Sequence, residues 1–83
     1  MTELALFKFC HASGVNCRWD DDDDELIIWI PFDLLKEFTD LVGYTYLSDG
    51  GIEVRLQEDC VALKLNDICE DFEIDIKNIY DRR

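Results

Sequence analysis

Five consecutive apolar residues, Leu26-Ile27-Ile28-Trp29-Ile30, directly follow an unbroken run of six acidic residues, Asp20-Asp21-Asp22-Asp23-Asp24-Glu25. The acidic run has no apolar side chain to bury, so it predicts a solvated loop or an exposed strand edge. The apolar stretch has no polar position, which favours a strand covered on both faces over an alternating surface strand. Pro31 has no backbone N–H to donate, so we expect the strand to end there.

The residues after Pro31 have the spacing of an amphipathic helix. Asp33, Glu37 and Asp40 fall at i, i+4 and i+7, so they should line one exposed stripe of that helix. Gly43 is the predicted stop. The apolar residues that would form the buried face are Leu34, Leu35, Phe38, Leu41 and Val42.

Two alternating stretches later in the chain predict a β-hairpin with a two-residue turn at Glu58-Asp59. Both faces of the hairpin support the same register, because apolar residues pair on one face and opposite charges pair on the other. The pairs that this register predicts are Leu56–Val61, Val54–Leu63 and Ile52–Leu65 on one face, and Glu53–Lys64 on the other.

The remaining segments complete the expected fold. Further strands are predicted over residues 4–9, 17–19 and 44–47, the last followed by a glycine-containing turn over residues 48–51. Asn66 is the predicted N-cap of a final helix that would break near Glu73. The order is β-β-α-β-β-β-α, which is one α+β domain over residues 1–83 with an antiparallel sheet of about five strands and two helices.

The chain is strongly acidic, with 20 Asp and Glu against 8 Lys and Arg and a net charge of −12 over 83 residues. Outside the six-residue run, 14 acids against 8 bases still leave −6, so the charge is spread over the fold. Phosphate groups would repel this protein, so we expect no direct binding to nucleic acid or to a membrane. Without a signal sequence or an apolar run of about 20 residues, a soluble cytoplasmic protein is expected.

Catalytic activity is not expected, because the chain has a single histidine, His11, and no Ser or Cys in a recognisable nucleophile context. The acidic run also fails as an EF-hand calcium loop. That loop needs Gly at position six and Glu at position twelve, and counting from Asp20 these positions hold Glu25 and Pro31.

Four cysteines leave three alternatives: buried thiols, a structural metal site, or disulfides, which a reducing compartment disfavours. Cys10 and Cys17 bracket a turn at Gly14, so their sulfurs could converge. Thiolates and imidazole select zinc, and a closed site needs four ligands. The predicted ligands of one structural zinc ion are four of Cys10, His11, Cys17, Cys60 and Cys69.

The carboxylates are the predicted binding residues for a basic partner. The helix stripe alone spreads three charges over about 10 Å. Duplex DNA has one charge per about 3.4 Å on each strand, so imitation of a phosphate track would need several elements together. The predicted partner-binding residues are Asp20, Asp21, Asp22, Asp23, Asp24, Glu25, Asp33, Glu37, Asp40, Asp67, Glu70 and Asp71.

In size, acidity, single-domain layout and absence of catalytic motifs, the chain resembles the small counter-defence proteins of bacteriophages, anti-CRISPR proteins above all. The resemblance implies a protein in the cytoplasm of an infected bacterium that binds a CRISPR effector nuclease and blocks guide or target-DNA engagement. The basic channels of such nucleases would attract an acidic inhibitor over long range. Two other classes stay open: an immunity protein or antitoxin against a basic toxin, and a structural or adaptor protein with a merely solvated acidic surface.

Overall fold

The computed structural model describes residues 2–43 and 54–80. Its strands form one antiparallel sheet in the order β1-β2-β4-β3, which confirms the predicted α+β class. The elements in these two ranges are α1 (Glu3–Cys10), β1 (Asn16–Asp20), β2 (Glu25–Pro31), α2 (Phe32–Val42), β3 (Val54–Leu56), β4 (Cys60–Lys64), α3 (Leu65–Asp71) and α4 (Ile76–Ile79).

The first element is a helix, so the strand predicted over residues 4–9 is wrong. The Thr2 hydroxyl caps the helix by accepting a hydrogen bond from the Ala5 N–H at 3.1 Å. Leu4 and Phe7 are apolar but exposed, and they masked the helical spacing of the buried positions in the sequence. Those buried positions, three and four residues apart, are Leu6, Phe9 and Cys10.

The central strand β2 and the helix α2 both lie where they were predicted. The cover on β2 is uneven, however. Leu26, Ile28 and Ile30 are fully buried against the helices, whereas alternate residues on the other face are only half-buried. Full cover on both faces is therefore wrong, because the helices within residues 2–43 and 54–80 pack on one face of the sheet. Helix α2 ends before Gly43, whose φ of +95° favours glycine.

The β3–β4 hairpin has the predicted register in its described part. Val54 lies opposite Leu63 and Leu56 opposite Val61. The Gln57 N–H donates to the Cys60 carbonyl at 2.9 Å, which closes the two-residue turn. The predicted pairs of residues 52 and 53, the strand over 44–47 and the turn over 48–51 lie outside the described residues.

The C-terminal helical region is divided, as the sequence predicted near Glu73. Helix α3 ends at Asp71, and Glu73 takes a φ of +56° before the short helix α4 begins. Asn66 is not the N-cap, because α3 already starts at Leu65. Its side-chain oxygen instead accepts a hydrogen bond from the Leu26 N–H at 2.8 Å and so ties α3 to β2.

The hydrophobic core lies between these helices and one face of the sheet. Phe9 and Phe38 meet there, with ring centroids 5.2 Å apart. The sheet and helix side chains that are fully buried in this core are Leu6, Leu26, Ile28, Ile30, Phe38, Leu65 and Ile68. The two faces of the sheet are consequently different surfaces, one packed and one exposed in the described part of the chain.

Candidate functional site

The acidic run forms the tip of the β1–β2 hairpin, which we call the acidic hairpin (residues 20–25). Asp20 and Glu25 are directly paired at the ends of the two strands, and the four aspartates between them form the turn. The Asp22 N–H donates to the Asp20 carboxylate at 3.0 Å. Asp24 takes a φ of +57°, a conformation that aspartate tolerates better than most residues. The predicted solvated loop is therefore an ordered turn that presents its carboxylates to solvent.

Three of these carboxylates lie together as a trio. One oxygen each from Asp20, Asp23 and Glu25 lies within 4.8 Å of the other two. Lys64 on β4 makes an ion pair with Glu25 at 3.0 Å and partly neutralises it. Oxygen ligands at this spacing suit a basic side chain or a hard cation. In the two described ranges, this trio is the only such group of three or more Asp, Glu, His or Cys ligand atoms.

The start of α3 lies at the same end of the sheet as the acidic hairpin. The hydrogen bond from Leu26 to Asn66 places the start of α3 beside the residue that follows Glu25. Asp67 is next to Asn66 in the chain and is half-buried. Glu70 and Asp71 follow on α3 and are exposed. The fold therefore places the start of α3, the helix that carries these acids, beside the acidic hairpin, although the two are separated by about 40 positions in the sequence.

The acidic stripe on α2 begins at the other end of the sheet. Asp33, Glu37 and Asp40 are all exposed, as predicted. Helix α2 starts directly after Pro31, which is six residues from Glu25 along β2, a distance of about 20 Å. Asp33 is therefore remote from the acidic hairpin.

All four cysteines are free thiols. A hydrogen bond between Cys10 and Cys17, together with burial, raises the pKa of Cys10. The same hydrogen bond lowers the pKa of Cys17. Burial raises the pKa of Cys69 to about 11, and the nearby Cys17 adds to the shift. These three thiols are thus neighbours on the core side of the sheet, where Cys10 and Cys69 are buried.

The other two predicted zinc ligands lie apart from that group. Cys60 donates to the side-chain oxygen of Gln57 at 3.6 Å, and it pairs with Pro31 on the sheet face opposite to that of Cys17. The His11 ring nitrogen Nε2 lies 3.2 Å from the Ile79 carbonyl oxygen. The structural zinc site stays a prediction. The strand register places Cys60 on the opposite face of the sheet from Cys17, so Cys60 is separated from the other predicted cysteine ligands.

Sequence reasoning missed the face of the sheet on which none of the described helices packs, which we call the open face. It contains Ile27, Trp29 and Ala62, none of which belongs to the helix-facing core. Together with charged residues of all four strands and the acidic hairpin, they line a concavity of about 480 Å³. The signal was present in the unbroken apolar run of β2, because a strand with one exposed face would ordinarily alternate.

No family model matches the chain, and comparison with curated proteins and with solved structures yields no match. Within the described residues, no helix has the length and apolar character needed to cross a membrane.

Proposed function

We propose that this protein is an acidic inhibitor of a nucleic-acid-handling protein, and that it occupies the basic surface on which the nucleic acid would dock. The small size, the acidity and the absence of catalytic motifs favour one target, a CRISPR effector nuclease in the cytoplasm of an infected bacterium. The observation that carries the proposal is the carboxylate trio of the acidic hairpin, with the start of α3 beside it.

Charge density supports the acidic hairpin as the contact. Oxygens of three of its carboxylates, Asp20, Asp23 and Glu25, lie within 4.8 Å of one another, which is comparable to the charge spacing of about 3.4 Å along one DNA strand. The α2 stripe is sparser, with three charges over about 10 Å of helix. Lysine and arginine side chains arranged to neutralise phosphates would therefore find a closer match in the hairpin than in α2.

The proposed mechanism is competition and needs no catalytic group. Long-range attraction between the acidic end and a basic channel raises the association rate, and the bound protein then excludes the nucleic acid. Since both this protein and the nucleic acid need the same basic residues, their binding should be mutually exclusive. The affinity should fall steeply with salt, because the contacts are between charges.

The test uses a purified CRISPR effector nuclease with its guide RNA and two charge-matched variants. One variant carries Asp21→Asn, Asp22→Asn and Asp23→Asn in the acidic hairpin. The control carries Asp33→Asn, Glu37→Gln and Asp40→Asn on α2. Both lose three of the twelve net negative charges, so any difference between them reports position and not total charge.

We expect the hairpin variant to bind about tenfold or more weakly, a loss of about 1.4 kcal/mol or more, and the α2 control to change much less. Target DNA should compete with the native protein. Equal affinity at low and high salt would contradict the mechanism, and equal losses in both variants would contradict the site. Binding to a small basic toxin in place of the nuclease would identify an immunity protein instead.

A further inference from the structure

The open face holds apolar side chains that no described helix covers. Ile27 and Trp29 point away from the helix-facing core and are half-buried, while Ala62 is 5% exposed between its neighbours. Aromatic residues at the centre of a polar-rimmed surface are the commonest anchors of protein interfaces. The position of Trp29 on the central strand β2, four residues from Glu25, makes this face a candidate anchor.

The strand register explains the concavity. Ala62 on β4 lies directly between Trp29 on β2 and Arg55 on β3. Its methyl group leaves space between the larger side chains on either side, and so it forms the floor. Ile27 lies opposite Lys64 in the next pair, and Lys64 is held toward Glu25 by the 3.0 Å ion pair. The apolar floor therefore runs from Trp29 toward the acidic hairpin.

The charges at the hairpin end of the concavity favour a basic side chain there, whereas Arg18, Arg55 and Lys64 lie beside the floor. Five carboxylates and three basic side chains line the concavity, so the rim is net acidic. The carboxylates all come from the acidic hairpin and so lie at one end, where a cation would be held. The lining charges are Asp20, Asp21, Asp22, Asp23 and Glu25 against Arg18, Arg55 and Lys64.

We infer that the open face docks an arginine-bearing segment of the basic partner, an inference that rests on the proposed function and names the contact that anchors it. One arginine of the segment stacks its planar guanidinium on the Trp29 indole, and a second basic side chain, about 13 Å further along the segment, passes Ile27 and pairs with the hairpin carboxylates. Arginine suits this site better than lysine, because guanidinium stacks on aromatic rings and pairs with carboxylates through a rigid fork. The hairpin attracts the partner, and Trp29 slows its dissociation.

The test is an NMR titration of the ¹⁵N-labelled full chain with a synthetic arginine-rich peptide and a lysine-rich peptide of the same length and charge. We expect the arginine peptide to shift the Trp29 indole N–H and the backbone amides of Ile27 and Ala62, and to bind about tenfold more tightly than the lysine peptide. Shifts confined to residues 20–25, with equal affinity for both peptides, would overturn the inference.

Two variants separate this inference from the proposed function. Trp29→Leu keeps an apolar side chain on β2 but removes the ring, and it should abolish the preference for arginine. Phe32→Leu removes an aromatic ring that is 47% exposed on α2, and it should leave the preference unchanged. If the hairpin variant loses nuclease binding while Trp29→Leu retains both nuclease affinity and the arginine preference, the proposed function stands and the open-face inference fails. If the nuclease does not bind but the arginine peptide shifts Trp29, the inference stands and the proposed function fails.

Discussion

Replacement of Asp23 by asparagine is expected to stabilise the fold, because it removes one charge from the carboxylate trio and nearly preserves the shape of the side chain. Asp23 is exposed, and one of its oxygens lies within 4.8 Å of oxygens of both Asp20 and Glu25. The hydrogen bond from the Asp22 N–H to Asp20 does not involve Asp23 and should persist. Carboxylates that serve binding would then lower the stability of the fold.

The size of the effect follows from these distances. Two unit charges 4.8 Å apart repel by about 0.9 kcal/mol in water, and Asp23 has two such neighbours. Lys64 lies 3.0 Å from Glu25 and offsets part of its charge, which reduces the gain from removing Asp23. We expect a gain of about 1 kcal/mol at low salt, which would raise the Tm of a domain this size by about 4–8 °C.

The assay is urea and thermal unfolding of the native protein and the variant at two salt concentrations. The gain should be present at about 0.01 M salt, where the Debye length is about 30 Å, and nearly vanish at about 1 M, where it is about 3 Å. Asp40→Asn is the control, since it removes one exposed charge outside the trio and should change stability by less than about 0.5 kcal/mol. A destabilised Asp23→Asn protein, or a gain that persists at high salt, would refute the repulsion. If added calcium stabilises the native protein but not the variant, a cation bound by the trio would explain why the variant is less stable.

Three further predictions concern the interior. Asn66→Ala should cost about 1–3 kcal/mol in urea unfolding, because it leaves the Leu26 N–H without its acceptor, and hydrogen exchange at that amide should accelerate. Burial raises the pKa of the Cys69 thiol from 9.0 to about 11 in the folded protein. The stability that the protonated thiol contributes is therefore complete below pH 9 and is lost as the pH rises through 11. The difference in unfolding free energy between the native protein and Cys69→Ala should shrink over that window. If structural zinc is present, elemental analysis of protein purified without added metal should find about one ion per chain, and a chelator should lower the Tm. Metal-free protein in which Cys10→Ser and Cys17→Ser leave stability unchanged would favour the thiol alternative.

The open-face proposal depends on contacts that no local pattern contains. Trp29, Ala62 and Arg55 come from three strands, and their adjacency requires β2 to pair with β4 across α2 and the residues that follow it. The position of α3 beside the acidic hairpin likewise follows from this strand pairing, because α3 directly follows β4, and it includes a hydrogen bond across 40 residues. Sequence periodicity reports only which side of its own element a residue occupies, so neither surface was predictable from it.

The sequence by itself determined the elements whose local signals agree. An unbroken apolar run before Pro31 defined β2, three-four spacing before Gly43 defined α2, and alternation around a two-residue turn defined the register of β3 and β4. Tertiary structure alone decided residues 4–9, because a short apolar stretch fits either a strand or a helix until the packing of Leu6 and Phe9 against the core selects one. Tertiary structure also decided which carboxylates share a surface. Burial of the apolar side chains sets how the helices and strands are arranged, and that arrangement determines where the exposed charges lie.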